Sequence, residues 1–154
     1  LGIDELILWD WGDGRVAQRP HEEAVAELVE VMRRTRPDVV ITFGPDGISG
    51  HPDHVAISHL TTEAFRQYCV EMVDQAGEPQ LYYVVRSAAI LSCCLKRKKA
   101  TDVLPVTTRI NIRCSWPQKI AAMRAYQSQK HLIDALQKDV KAWNTRDELF
   151  HRAY

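Results

Sequence analysis

The run Asp38-Val39-Val40-Ile41-Thr42-Phe43-Gly44 leads, five residues later, into Gly50-His51-Pro52-Asp53-His54. Its consecutive β-branched residues predict a strand that is buried on both faces, as in a parallel sheet. Apolar residues then recur at helical spacing from Val55 to Tyr68 and predict a helix. Because the two histidines are three residues apart at the start of that helix, we expect them to share one face of its first turn.

Local signals elsewhere predict alternating strands and helices. A helix is expected over 20–36, with acidic residues in its first turn, basic residues in its last turn and Pro37 beyond it. Further strands are predicted at 5–9, 81–85 and 107–112, and further helices at 117–136 and 146–151. Residues 87–104 are left unassigned, because 88–95 fits either a strand or a buried helix. This alternation predicts an α/β layered domain with a mainly parallel sheet.

Composition narrows the class of protein. With 154 residues, 45% of them hydrophobic and 26% charged, the chain suits one globular domain. Lys+Arg and Asp+Glu both number 20, so no basic surface for nucleic acid is indicated. No apolar run is long enough to span a bilayer. Cysteines at 69, 93, 94 and 114 show neither a disulfide framework nor zinc-finger spacing, so we expect reduced thiols and a cytoplasmic protein.

The histidines are expected at the ligand-binding edge of the sheet. In open α/β sheets, ligands bind beyond the carboxyl ends of the strands, and the loop 45–50 follows a strand directly. The turn Trp11-Gly12-Asp13-Gly14 follows the preceding predicted strand, so it should lie on the same rim. Imidazole is a zinc ligand and also transfers protons near neutral pH. Asp13 and Ser49 could reach a ligand there, although turn chemistry and a loop hydroxyl are the ordinary interpretations.

Several segments, in collinear order, resemble the LmbE-like, or PIG-L-like, zinc-dependent N-deacetylases. Residues 36–42 with Gly50-His51-Pro52-Asp53-His54 resemble the second signature of that family, and 11–16 resemble its Asp-Gly loop. Residues 1–3, 119–129 and 148–150 also match, although Tyr126 stands where the family usually has His. The resemblance implies a Rossmann-like three-layer sandwich without its N-terminal strand–helix units, with residues 1–154 as the C-terminal portion of a single domain.

The resemblance also implies an activity, which is removal of acetyl from an N-acetylglucosamine-type substrate by metal-activated water. His54 would then be a zinc ligand, and His51 would stabilise the oxyanion or assist the leaving amine. The family's loop suggests that Asp13 contacts the substrate. From the residues themselves, Asp53 is interpreted as orienting a histidine or capping the helix, and Ser49 as a residue that could reach the substrate. Zinc with an open coordination position suits this chemistry, because amide hydrolysis needs an activated water and stabilisation of developing negative charge.

One departure from the family affects these expectations. No His-Pro-Asp-Asp sequence occurs in the 154 residues, and in the family that motif supplies two zinc ligands and the general base. We therefore expect the parent protein to be an enzyme, and this chain alone to lack those groups. Leu1 in place of an initiator Met favours a part of a longer protein.

Two other classes of function are retained as alternatives. One is a non-catalytic carbohydrate-binding or scaffold module of the same fold. The other, a Rossmann-type nucleotide binder, is disfavoured because the chain has neither a G-x-G-x-x-G motif nor a P-loop. The particular N-acetylated amino sugar is left open, and so is whether the protein forms a homo-oligomer.

Overall fold

The computed structural model describes residues 2–72, 77–85, 104–130, 134 and 146–154. Over these residues the helices are α1 (His21–Thr35), the short helical turn α2 (Gly47–Gly50), α3 (Pro52–Glu71) and α4 (Trp116–Ala125). The strands are β1 (Val39–Phe43), β2 (Gln80–Val85), β3 (Thr108–Asn111) and β4 (Asp147–Arg152). Short 3-10 turns lie at Val16–Gln18 and Gln127–Gln129.

The helix predicted over 20–36 is confirmed as α1. Pro20 precedes it, and Glu22 and Glu23 lie in the first turn, where the helix dipole favours negative charge. The helix ends at Arg36, whose backbone is left-handed (φ 46°) and whose N–H donates to the Met32 carbonyl at 2.8 Å. The local sequence signals at both ends therefore suffice to position this helix.

The sheet has the order β1-β2-β4-β3. Strands β1 and β2 are parallel, whereas β4 is antiparallel to both β2 and β3. The α/β class is thus confirmed, but over the described residues the sheet is mixed and not mainly parallel. The difference comes from 146–151, which was predicted to be helical and is instead strand β4. Because β4 has a hydrogen-bonded neighbour on each side and buries Leu149, tertiary pairing outweighs local helix propensity.

Strand β1 is present but is not buried on both faces, so that prediction is wrong. Val39 and Ile41 are 49% and 56% exposed. Among the strands described, β2 is the sole neighbour of β1, and an apolar trough of about 550 Å³ runs along its other edge. Apolar residues of α1, β1 and α3, together with Trp9, line this trough.

The strand predicted over 5–9 does not form. This segment has no regular secondary structure, and Leu6 and Leu8 are 70% and 82% exposed. An apolar run becomes a strand only where a neighbour accepts its backbone hydrogen bonds, and no described strand pairs with this segment.

The core lies between α1, α3 and the first two strands of the sheet. It consists of Ala24, Val25, Leu28, Val29, Met32, Leu60, Ala64, Phe65, Tyr68, Leu81 and Tyr83. Burial of each large apolar side chain stabilises the fold by roughly 1.5–3 kcal/mol. At the surface, Arg33 of α1 donates to Glu71 of α3 at 2.7 Å and joins the two helices. The α3 helix and strand β2 were both predicted, and both are confirmed.

The C-terminal third agrees with the sequence only in part. Strand β3 falls within the predicted 107–112 but is mostly exposed, whereas a half-buried strand was expected. Helix α4 begins as predicted near Pro117 but ends at Ala125, where a 3-10 turn at Gln127–Gln129 follows. Of the rest of the predicted helix, 131–133 and 135–136 lie outside the described residues. Nearly all of 87–104 also lies outside them. None of the helices described is long and apolar enough to cross a membrane.

Candidate metal and sugar site

The two histidines lie where β1 gives way to α3. A tight loop connects these elements: Gly47 N–H donates to the Gly44 carbonyl at 2.8 Å, and Ile48 N–H donates to the Asp46 carboxylate at 2.9 Å. His51 is the N-cap of α3, and His54 is in its first turn. Their ring centroids are 5.0 Å apart, so the expected sharing of one helix face is confirmed.

His54 is held by contacts on one ring face and at one ring nitrogen. Its ring stacks on Phe43, at the end of β1, with centroids 4.1 Å apart and planes 5° from parallel. Its Nδ1 lies 3.2 Å from the Gly47 carbonyl oxygen. Because a carbonyl only accepts, Nδ1 carries the hydrogen and the lone pair of a neutral ring resides on Nε2. A histidine oriented through its other nitrogen in this way is the usual arrangement of a metal ligand.

His51 is oriented in the opposite sense. Its Nδ1 accepts the Asp53 backbone N–H at 3.2 Å, so this histidine supplies the helix cap that the sequence had suggested for Asp53. Neutral His51 consequently carries its hydrogen on Nε2 and presents a donor. The pair therefore offers two functions side by side: a free imidazole lone pair on His54 and an N–H donor on His51.

Asp53 brings the Asp-Gly loop to the histidines. Its carboxylate accepts the backbone N–H of Gly14 at 2.6 Å and that of Val16 at 3.1 Å. Asp13 is thereby brought into a group with His51 and Asp53, in which one potential ligand atom from each lies within 4.8 Å of the others. The prediction that the Asp-Gly loop and the histidine loop meet at one rim is confirmed.

Ser49 lies within the same loop. Its hydroxyl accepts the His51 N–H at 3.3 Å and lies 3.4 Å from Nδ1 of His54. Ser49 is exposed, so its hydroxyl is accessible to solvent while it contacts the His51 backbone and the His54 ring.

Two residues that support the histidines were missed as functional from the sequence. Gly47 has φ +62°, and a Cβ there would lie 2.9 Å from the Val55 backbone nitrogen and 3.0 Å from the His54 Cβ. Phe43 was interpreted only as a strand residue. The glycine-rich loop 45–50 directly before a histidine was the available signal for Gly47, whereas nothing local indicated the stacking of Phe43 on His54.

Three tryptophans lie in the described part of the chain, and each contacts another side chain. Trp9 and Trp11 stack with centroids 5.0 Å apart, beside the Asp13 loop. Trp11 also donates to Glu27 at 3.3 Å, so it is fixed in place. The Arg146 guanidinium carbon lies over the Trp116 ring, 4.1 Å from its centroid. The Trp9–Trp11 pair and Asp13 line the same shallow pocket.

The donor set at this rim fits zinc chemically, since imidazole nitrogen and carboxylate oxygen are both zinc ligands. Within the part of the chain described, Asp13, His51 and Asp53 are the group whose atoms converge. Two of these already have protein partners: Asp53 accepts two backbone N–H groups, and Nδ1 of His51 caps α3. His54 is outside the converging group but has its Nε2 lone pair available.

The described residues form an α/β fold, and an imidazole–carboxylate group at its rim could hold a divalent metal. Residues 1–65 match the family described as GlcNAc-PI de-N-acetylase, PIG-L. The chain belongs to this PIG-L/LmbE-like family, which confirms the resemblance seen in the sequence.

Curated relatives and a solved structure extend this finding. The 1D-myo-inositol 2-acetamido-2-deoxy-alpha-D-glucopyranoside deacetylase of Thermobispora bispora is 30% identical across 70% of this chain and 42% of its own length. The enzyme of the same name from Corynebacterium diphtheriae is 30% identical across 77% of this chain and 43% of its own length. The chain thus spans about two fifths of the length of these relatives.

A solved structure is also similar: the crystal structure of GalB, the 4-carboxy-2-hydroxymuconate hydratase from Pseudomonas putida KT2440. The superposition includes 88% of this chain and 60% of the GalB chain, with a TM-score of 0.61. At 20% identity this likeness concerns the fold alone.

Proposed function

We propose that residues 1–154 are the C-terminal portion of one deacetylase domain, which removes acetyl from an N-acetylglucosamine-type substrate with the help of zinc. The observation that carries this proposal is the anchoring of His54 through Nδ1 to the Gly47 carbonyl, beside the N–H donor of His51. Membership of a family of N-deacetylases supports it.

Each rim residue has a role consistent with its hydrogen bonds. His54 would hold the metal through Nε2, with further ligands supplied by residues beyond the histidine pair. Zinc supplies an activated water and polarises the acetyl carbonyl when it is bound. His51 would donate its Nε2 hydrogen to the developing oxyanion or to the departing amine, either of which lowers the barrier to amide cleavage. Asp13 and Ser49 would bind sugar hydroxyls from the rim.

Zinc stoichiometry is the first test, measured by elemental analysis after dialysis against zinc. It is made on this chain and on the full-length gene product, each as wild type, His54→Ala, His51→Ala and Asp13→Asn. We expect about one zinc per full-length chain and none in this chain alone. In the full-length product, His54→Ala should abolish or greatly weaken zinc binding and His51→Ala should retain it. The reverse result, with zinc lost in His51→Ala and in Asp13→Asn but kept in His54→Ala, would locate the metal in the Asp13–His51–Asp53 group and refute the role of His54.

Activity is the second test, measured as amine release from N-acetylglucosamine derivatives by the zinc-loaded full-length product. His51→Ala should lower turnover while zinc content stays at the wild-type level, because the residue acts on the substrate and not on the metal. Full activity in that variant would contradict the assignment.

A carbohydrate-binding or scaffold module is the second candidate. It is favoured by the position of His54, which belongs to no converging metal-binding group among the described residues. Absence of a His-Pro-Asp-Asp sequence from the full-length gene product would favour it further. Binding of N-acetylglucosamine without zinc uptake or amine release in any form of the protein would select this candidate.

A further inference from the structure

The Asp13 loop, defined as residues 12–16, is joined to the first turn of α3 through one carboxylate. Asp53 accepts Gly14 N–H on one oxygen at 2.6 Å and Val16 N–H on the other at 3.1 Å. These contacts connect residues 37 and 39 positions apart in the chain. Hydrogen bonds from backbone N–H groups to a carboxylate are among the stronger ones in proteins, because the acceptor is charged.

The loop has little stiffness of its own around Asp13. Gly12 and Gly14 flank this residue and both have left-handed backbones, with φ +78° and +72°. Glycine adopts such conformations easily but also samples many others, so two glycines leave the direction of Asp13 weakly determined. Within residues 12–16, the backbone hydrogen bond from Arg15 N–H to the Gly12 carbonyl is long, at 3.3 Å. The direction of Asp13 must therefore be stabilised from outside the loop.

A second carboxylate holds the flanks of the loop and not its tip. Glu27 of α1 accepts Trp11 Nε1–H at 3.3 Å and forms an ion pair with Arg19 at 2.7 Å. Trp11 and Arg19 lie on either side of the Asp13 loop. Glu27 thus fixes where the loop leaves and rejoins the fold, whereas Asp53 fixes the residues next to Asp13.

We propose that Asp53 is a positioning residue, which holds the Asp13 loop against α3 so that Asp13 faces His51 and can bind a hydroxyl of the sugar. Each of its two oxygens accepts one N–H of the loop, so the Asp53 carboxylate is oriented by the loop that it holds. What Asp13 binds rests on the proposed function, but the tether itself is independent of catalysis and can be tested separately.

The tether is tested by amide hydrogen exchange and by the proton chemical shifts of Gly14 and Val16. Asp53→Ala removes both acceptors, and we expect exchange at these two amides to accelerate at least tenfold. Asp53→Asn retains one acceptor oxygen and should restore protection at one of the two amides. Glu27→Gln is the matched control: it weakens the flank contacts and should leave both tip amides protected. Unchanged exchange at Gly14 and Val16 in Asp53→Ala would overturn the proposal, as would loss of zinc from that variant with both amides still protected.

Binding of N-acetylglucosamine, followed by NMR titration, tests what the tether does. If Asp53 acts through Asp13, then Asp53→Ala and Asp13→Ala should weaken binding by similar factors, and the double variant should bind no more weakly than Asp13→Ala. Multiplicative losses in the double variant would contradict the proposal, since they show independent contributions. Absence of binding to the wild-type chain would count against the proposed function, and amide exchange alone would then decide the tether.

Discussion

Gly47→Ala tests whether the loop before His51 is as tightly packed as its geometry indicates. A Cβ at this position would lie 2.9 Å from both the backbone nitrogen and a methyl carbon of Val55, and 3.0 Å from the His54 Cβ. A backbone nitrogen in the first turn of α3 cannot move without shifting the helix, so the contact cannot be relieved by a side-chain rotation. The substitution should therefore strain both the loop and the histidine that it supports.

The magnitude has two parts. A left-handed backbone costs an alanine about 1–2 kcal/mol, of which about 0.4–1 kcal/mol is offset because alanine also restricts the unfolded chain. Overpacking adds about 1–3 kcal/mol. Gly77→Ala is the matched control, because Gly77 also has a positive φ (+97°) but a Cβ there meets nothing within 4 Å. We expect the free energy of unfolding to fall by about 2–4 kcal/mol for Gly47→Ala and by about 1 kcal/mol for Gly77→Ala.

Equilibrium unfolding in urea, followed by tryptophan fluorescence, measures both values. A difference between the two variants of less than about 0.5 kcal/mol, which is the range of an ordinary surface substitution, would refute the packing argument. Zinc affinity of the full-length product provides a second measurement. Displacement of the Gly47 carbonyl should weaken zinc binding in Gly47→Ala, whereas Gly77→Ala should bind zinc as wild type does.

Three further outcomes are expected. Hydrogen bonding to Arg33 holds the pKa of the Glu71 carboxyl below its ordinary value of about 4.5, so the ion pair stabilises the fold above that pH and is lost as the pH falls through the lowered pKa. Acid titration of unfolding should thus show a smaller loss of stability below pH 4.5 in Glu71→Gln than in wild type. Burial raises the pKa of the Cys69 thiol, so iodoacetamide at neutral pH should label exposed Cys114 at least about tenfold faster, as read by peptide mass spectrometry. Phe65 is 1% exposed, and Phe65→Ala should lower the free energy of unfolding by about 3–5 kcal/mol in urea.

Each of these three has a result that would contradict it. Parallel acid titration curves for wild type and Glu71→Gln would show that the Arg33 contact contributes nothing in solution. Equal labelling rates would show that Cys69 is accessible. A cost below about 1 kcal/mol for Phe65→Ala would show that the site collapses around the lost ring.

The sequence was sufficient wherever the determining interactions are local. The limits of α1 follow from Pro20, Pro37 and the charges in its end turns, and the proximity of His51 to His54 follows from their three-residue spacing. Family membership was also available from these motifs. Each helix boundary and each motif is defined by residues within a few positions of one another.

Tertiary structure decided whatever depends on distant partners. Residues Asp147–Arg152 form a strand because β2 and β3 accept and donate their backbone hydrogen bonds, although their side chains alone suggested a helix. Residues 5–9, which resemble a strand, remain irregular because no described strand pairs with them. The carboxylate of Asp53 accepts the backbone N–H groups of Gly14 and Val16 because the fold places the loop against α3. Hydrogen bonds between segments tens of residues apart leave no local pattern in a sequence, so the three-dimensional arrangement alone determines them.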